Sequence, residues 1–251
     1  MVLAKSEPKI SLEQHIDDCL HICCQLKEAL PDITVRYGME FWKALRTAII
    51  LHDTGKSHVE FQKYLLGKNN EWYHQRHEMF SVYFAQNSDS RDILGSGGLL
   101  AILGHHKSLK DLYDFIDKNY TKDEWCLEDD GLDYNDECKK LNSPFVWNLM
   151  KQYDIEQKTH CPIDLKKIIK SYIRNAKGLL HEQTIENILL VGALKQCDHL
   201  ASAGIQKINC IDSSDFAFLD RITFYDHQKL AGDKEGNVIL TAPTGTGRFV
   251  A

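Results

Sequence analysis

The chain has 251 residues, 43% hydrophobic and 26% charged, enough for one large core with or without an appendage. A net charge of −6 and a pI near 6.0 exclude the overall basic footprint of a standalone duplex-DNA binder, though not a nuclease that receives its substrate from a partner. No apolar run reaches the length of about 18 residues that a membrane span needs, and Met1 to Lys9 is too polar for a secretory signal, so a cytoplasmic protein with no membrane partner is expected.

Helical periodicity dominates from the start. Residues 11 to 30 open on Ser11 and carry Glu13-Gln14 in the first turn, the pattern of a capped helix that Pro31 and Asp32 end. On it, His15, Cys19 and Cys23 follow one another at steps of four and share a face that points inward. His21, six residues after His15 and roughly 240° around the helix, points elsewhere and is excluded from any site with His15. The other cysteines are Cys24, Cys126, Cys138, Cys161, Cys197 and Cys210, with no C-x-x-C pair, so neither a disulfide framework nor a zinc ribbon is expected. Cys19 and Cys23 have a spacing that would serve a metal, but small apolar side chains packed on a helix face account for it better.

The next predicted helix, residues 40 to 52, runs through Phe41-Trp42 and Ile49-Ile50-Leu51 into His52-Asp53-Thr54-Gly55-Lys56. An imidazole and a carboxylate side by side at the end of a buried element are costly unless something binds them, and a divalent metal is the natural candidate. Lys56, four residues after His52, is close enough to face the same site and to neutralise a phosphate oxygen. A helix from Glu71 to Asn87 is predicted next. In it His77 is preferred to His74, because Glu78-Met79-Phe80-Ser81-Val82 continues as an amphipathic helix. A flexible Gly95-Ser96-Gly97-Gly98 then precedes a short buried helix from Leu99 to His106, which ends on the tandem His105-His106.

Residues 107 to 162 have weak periodicity and a crowd of acidic residues from Asp123 to Glu137, which predicts a solvated excursion beside the core. Helices return over 163 to 180 and 184 to 203, the second ending at Gly204. Asp198 sits in the apolar stretch Leu189 to Cys197 and needs a partner or a ligand there. Ser202 shares its face and serves either as a phosphate contact or as a core or capping serine. The tail changes character: Asn237 to Thr241 reads as a buried strand leading into the glycine-punctuated loop Ala242 to Gly247. The fold expected is therefore all-α over residues 1–215, followed over 216–251 by the start of something of α/β type.

His15, His52, Asp53, His77, His105, His106 and Asp198 make a candidate ligand set of imidazoles and carboxylates, suited to Mn, Fe, Co, Ni or Zn. A carboxylate has two oxygens and can bridge two ions. Asp53 is the candidate for that role, which would put two metals roughly 3.5–4 Å apart, as phosphoryl displacement requires.

In this order and context the residues resemble the HD superfamily of metal-dependent phosphohydrolases, and more closely the HD nuclease domain of the CRISPR-associated helicase–nuclease of type I systems. The likeness rests on His15, on Leu51 to Lys56 followed by Phe61-Gln62, on His77-Glu78 with Ser81, on His105-His106, and on Asp198-His199-Leu200-Ala201-Ser202. It covers about residues 10 to 205. In that family a superfamily 2 helicase follows the nuclease, and Phe224 to Gln228 and Leu240 to Gly247 look like its adenine-side segment and phosphate loop. The loop departs from the pattern at Arg248-Phe249, where lysine and a hydroxyl residue are expected. Gln228, Gly245 and Gly247 are thus a nucleotide-binding remnant, and no ATPase or helicase activity is expected of this chain.

The resemblance implies a nuclease that hydrolyses single-stranded DNA in antiviral defence, working with a Cascade-type surveillance complex and other Cas proteins. One ion would be held by His15, His52, Asp53 and Asp198, and a second by Asp53, His77, His105 and His106. Asp53 and Lys56 would be the catalytic residues, with Lys56 and Ser202 toward the phosphate. Mn, Ni, Co or Fe are the expected ions, with Mg or Zn admitted. Two other readings stay open: an HD phosphohydrolase acting on nucleotides or cyclic nucleotides, and a non-catalytic docking module for a Cas complex.

Overall fold

The computed structural model describes residues 1–72, 76–119, 133–159, 161–175 and 181–208, together with Asp226, Lys229, Leu230 and Asp233. The chain divides into two compact units, Met1–Ile208 and Asn209–Ala251. Gln228, Gly245, Gly247 and the strand expected over Asn237–Thr241 lie outside the described residues, as do His74 and Asp123 to Asp130.

The first unit is mostly helical, in keeping with the all-α expectation. Helix α1 (Leu12–Ala29) begins where Ser11 Oγ accepts the backbone N–H of Gln14, and it buries Leu12, His15, Ile16, Cys19, Ile22, Cys23 and Leu26 on one face. Helix α2 (Pro31–Leu51) has proline in its first turn and a kink at Gly38. From Phe41 onward it is core on most sides, with Leu45, Ala48, Ile49, Ile50 and Leu51 fully buried. A 3-10 turn, Thr54–Ser57, leads into α3 (Val59–Leu65).

Helix α4 (His77–Asn87) is buried around nearly its whole circumference, from Glu78 to Ala85. It starts at His77, six residues later than the expected Glu71, and His77 is therefore the first helical residue rather than a mid-helix one. Helix α5 (Arg91–Gly104), kinked at Gly95, corrects a second expectation. Gly97 and Gly98 are not a flexible lead-in but a buried helix crossing. A Cβ on Gly97 would come within 2.5 Å of Asn187 Oδ1 and 2.7 Å of Leu190 Cδ1, both on α10 (His181–Ser202). Side-chain absence, not backbone freedom, is what the glycine supplies there, and it lets α5 and α10 approach closely.

Residues 107 to 162 are likewise not an excursion in their described parts. Helices α6 (Leu109–Asn119), α7 (Tyr134–Cys138) and α8 (Ser143–Met150) occur within them, and Leu112, Tyr134, Val146, Trp147, Leu149 and Met150 belong to the core. Helices α7 and α8 are too short for their periodicity to stand out, yet α8 alone delivers Val146, Trp147, Leu149 and Met150 to the core. Helix α9 (Leu165–Asn175) and α10 follow. Helices α2 and α10 pack against each other and against both α1 and α5, with α4 against α5.

A small antiparallel ribbon, β1 (Leu3–Lys5) with β2 (Ile10–Ser11), was not legible in the polar N-terminus. Gln62 acts as a surrogate strand on the edge of β1. Its side-chain amide accepts from Leu3 N at 2.9 Å, and its Nε2 donates to Leu3 O at 2.9 Å and to Lys56 O at 2.7 Å. Lys5 Nζ donates to Ser202 O at 2.6 Å, tying β1 to the end of α10.

His58 is structural. Its Nδ1 accepts from Glu60 N at 3.2 Å and caps α3, while its ring sits 5.0 Å from Phe80 and 5.2 Å from Trp72. Burial pushes its pKa down to about 4 despite Glu137 Oε2 at 3.4 Å and Glu60 nearby, with Lys140 pushing the same way as burial. The unfolded imidazole takes up its proton near 6.5, so between about pH 6.5 and 4 the unfolded state binds more protons and stability falls as pH falls. We expect on the order of 3 kcal/mol at most from this group over that window. In urea titrations at pH 7 and pH 4.5, His58→Asn, which keeps a capping side chain, should lose less stability between the two conditions than the wild type.

Candidate metal centre

The seven ligand candidates come from five helices or their ends, and the fold brings all of them together. His15 lies on the buried face of α1, and Asp198 comes from the last turns of α10. His52 and Asp53 follow the end of α2, His77 opens α4, and His105 and His106 follow the end of α5. His15, His52, Asp53, His105 and Asp198 are buried, His77 is half-buried and His106 is exposed. His21 is turned away, as expected, within reach of Gln25 and the backbone oxygen of Gln206.

Asp53 is at the centre. Its Oδ2 lies 3.2 Å from His15 Nε2, 3.5 Å from His52 Nε2 and 2.6 Å from Lys56 Nζ. Its Oδ1 lies 3.0 Å from His77 Nε2 and 3.9 Å from His105 Nε2. Each oxygen thus faces its own set of imidazoles, and neither has a well-aligned hydrogen bond. On the Oδ2 side, Asp198 Oδ1 stands 3.2 Å from His15 Nε2 and 4.0 Å from His52 Nε2. On the Oδ1 side, His106 Nε2 stands 3.2 Å from His77 Nε2.

The donor atoms fall into two groups, each within 4.8 Å: His15, Cys19, His52 and Asp198, and Asp53, His77, His105 and His106. The second is the expected set. The first contains Cys19, which the sequence reading assigned to packing, and Asp53 Oδ2 borders it.

Two hydrogen bonds orient two of these imidazoles. His52 Nδ1–H donates to Ile49 O and His105 Nδ1–H donates to Ile102 O, each at 2.6 Å. Both bonds run from a residue just past a helix end to a carbonyl three residues back, a group left free by the ending helix. They fix the tautomer, so each Nε2 presents a lone pair. Among the described residues both Nε2 atoms are buried without a hydrogen-bond partner. Buried acceptors of this kind cost about 1–3 kcal/mol each unless something binds them.

Electrostatics are consistent with a cation site. Burial pushes the Asp53 carboxyl up, but His52, Lys56, His15 and His77 together hold it well below the usual carboxylate range. Asp198 is also held down, against burial, mainly by its hydrogen bond with His15. Burial would lower His15, yet Asp198 and Asp53 hold it up at about 11. Burial keeps His52 and His105 low, so these two imidazoles are neutral at pH 7 and their Nε2 lone pairs are free. The His15 proton and the Lys56 ammonium are then the charges that answer Asp53 and Asp198 when no ion does so. Ion uptake would release that proton.

Ser81, outside the ligand set, holds the two halves in register. Its Oγ accepts from Gly55 N at 2.9 Å and donates to His52 O at 2.6 Å. Gly55 packs directly on the start of α4, where a Cβ would lie 2.0 Å from His77 O and 2.7 Å from Ser81 N. Ser202 Oγ donates to Asp198 Oδ1 at 3.2 Å, and Lys56 pairs with Asp53, so both candidate phosphate contacts are engaged inside the site. Neither the Nδ1 bonds nor the Gly55 contact leaves a mark in the residue pattern.

Comparison of the chain with family models, with curated proteins and with solved structures finds no match.

Because backbone atoms meet the space over Gly55, Gly55→Ala must push α4 away from the Asp53 turn. We expect a loss of about 1–3 kcal/mol or more in stability and the loss of ion binding by the His77, His105 and His106 group. Calorimetric titration with Mn²⁺ should show fewer sites in Gly55→Ala than in the wild type. Ser81→Ala, which removes the hydroxyl without adding bulk, should weaken the same binding about 10–100-fold.

Proposed function

We propose that this chain is a two-metal phosphodiesterase of the HD type that cleaves single-stranded DNA. One observation carries the reading: the two carboxylate oxygens of Asp53 are divided between two groups of buried or half-buried donor atoms, with the fixed Nε2 lone pairs of His52 and His105 one on each side. A structural aspartate would have well-aligned donors on both oxygens. This one has Lys56 and His15 against Oδ2 but no well-aligned hydrogen bond on either oxygen, and imidazole nitrogens stand on both sides of it.

The donor set fits borderline divalent ions such as Mn, Co, Ni, Fe or Zn, with Mg a poorer match to so many nitrogens. When bound, two such ions supply Lewis acidity to a phosphate and make water a nucleophile at neutral pH. The chain's own residues do the rest. Asp53 would bridge the two ions. His15, His52 and Asp198 would hold the inner one, and His77, His105 and His106 the outer one. Lys56, half-buried beside Asp53, would exchange part of its ion pair for a phosphate oxygen as the ions neutralise the carboxylate. The exposed His106 and half-buried His77 mark the side from which a substrate strand enters.

The sequence resemblance, including the helicase-like residues from Phe224 to Gly247, supports single-stranded DNA as the substrate and a Cascade-type complex as the partner that exposes it. Net charge supports the same dependence on delivery, since −6 gives the chain little affinity of its own for a polyanion.

The test is turnover of circular single-stranded DNA and of a nucleotide and cyclic-nucleotide panel, each with Mn²⁺, Ni²⁺, Co²⁺ and Mg²⁺. DNA cleavage stimulated by a transition ion is expected. Turnover of nucleotides alone would replace the substrate class, and absence of both activities and of bound metal would favour a docking role. Asp53→Ala should lower cleavage by more than the roughly 100-fold typical of losing a supporting residue, and should lower metal content with it. His21→Ala, away from the site, should cut like the wild type.

A further inference from the structure

The inner group of donors contains one atom that nothing above uses, the Cys19 thiol. It is fully buried on the same face of α1 as His15, one turn further along, and its Sγ lies 3.7 Å from His15 Nε2. The next cysteine on that face, Cys23, has the Cys197 thiol as its main side-chain neighbour instead. Cys19 is therefore the cysteine turned to the metal centre.

We propose that Cys19 is a direct ligand of the inner ion, so that the two positions hold chemically different ions. The inner position would offer two imidazoles, a thiolate and the Asp198 carboxylate, bordered by Asp53 Oδ2. The outer position would offer three imidazoles and Asp53 Oδ1. This rests on the two-metal reading and deepens it.

Geometry favours the assignment. Bonds of about 2.0–2.1 Å to nitrogen or oxygen and about 2.3 Å to sulfur put neighbouring ligand atoms roughly 3–3.6 Å apart in a four- or five-coordinate site, the fifth place being open to Asp53 Oδ2. The separations are 3.2 Å for His15 to Asp198, 3.7 Å for His15 to Cys19 and 4.0 Å for His52 to Asp198. All four donor atoms, Cys19 Sγ included, lie within 4.8 Å of one another. The second sign of a ligand is the buried His52 Nε2 that points into this group without a hydrogen-bond partner. Chemistry favours it too. An ion at this place would displace the thiol proton to solvent as the metal–sulfur bond forms. A thiolate is a soft ligand, so the inner position should prefer Zn²⁺ or Co²⁺ over Mg²⁺ and hold its ion more tightly than the outer one.

The experiment uses the whole chain loaded with Co²⁺, read by optical spectroscopy and by metal content. We expect two ions per chain and a near-ultraviolet sulfur-to-cobalt charge-transfer band. Cys19→Ser should lose the band and weaken the tighter site at least about tenfold, while Cys23→Ser keeps the band. Two bound ions without the band in the wild type, or a band that survives in Cys19→Ser, would overturn the role of Cys19 and leave the two-metal reading standing. A chain that binds no Co²⁺ at all would remove the two-metal reading and this inference with it. Should Cys19→Ser fail to fold, X-ray absorption of the wild type decides the matter. A sulfur shell at about 2.3 Å supports the ligand, and shells of nitrogen and oxygen alone refute it.

Discussion

An ionised carboxylate with 1% of its surface exposed must be answered by positive charge or by several donors, and Asp53 sets that demand for the whole helical unit. The answer in the protein alone is incomplete. Lys56 supplies one ammonium and His15 one proton, while His52 and His105 point lone pairs at the same place. Lone pairs facing a carboxylate repel it unless a cation or a proton lies between them. The helices that bring these groups together would gain stability from an ion at the centre, according to how much more tightly the folded chain bound it than the unfolded chain.

The framework around Asp53 is stiff where this demand is greatest. Helices α2 and α5 each end in a buried segment, Ile49-Ile50-Leu51 and Ile102-Leu103-Gly104, and each hands its last free carbonyls to an imidazole. An ending helix thus provides both the histidine and the acceptor that orients it. Around this, the contact of Gly55 with the start of α4 and the double hydrogen bond of Ser81 set the distance between the Asp53 turn and His77. Gly97, under the crossing of α5 with α10, brings His105 and Asp198 toward the same centre from helices far apart in sequence. Small residues recur at these points because each ångström of helix separation would be lost from the ligand distances.

Much of this was legible in the sequence, because charged or polar residues in apolar helices stand out. His15 was placed by its i+4 relation to Cys19 and Cys23, Asp198 by the apolar run around it, and His21 excluded by its angle on α1. Packing details were not legible. The pattern around Gly95 to Gly98 reads as flexible unless the partner helix is known, and α7 and α8, of 5 and 8 residues, are too short to show a period. Glu71 and Trp72 are helix-compatible and put the expected start of α4 at Glu71, whereas the helix begins at His77. Cys19 was read as packing for a good reason: cysteine on a buried face usually is, and only its place beside His15 and Asp198 separates it from Cys23.

Burial divides the centre into two unequal halves. His15, Cys19, His52 and Asp198 are enclosed by α1, α2 and α10, whereas His77 is partly open and His106 is exposed. An ion in the inner half would be shielded from exchange, and one in the outer half would meet solvent and substrate. Among the described residues the open side of the centre is that of His77 and His106, with Lys56, 12% exposed, beside it. Under the two-metal reading the inner half would anchor Asp53, and the outer half would be where a change of ion or of substrate is felt, since its ligands give up the least packing when they move.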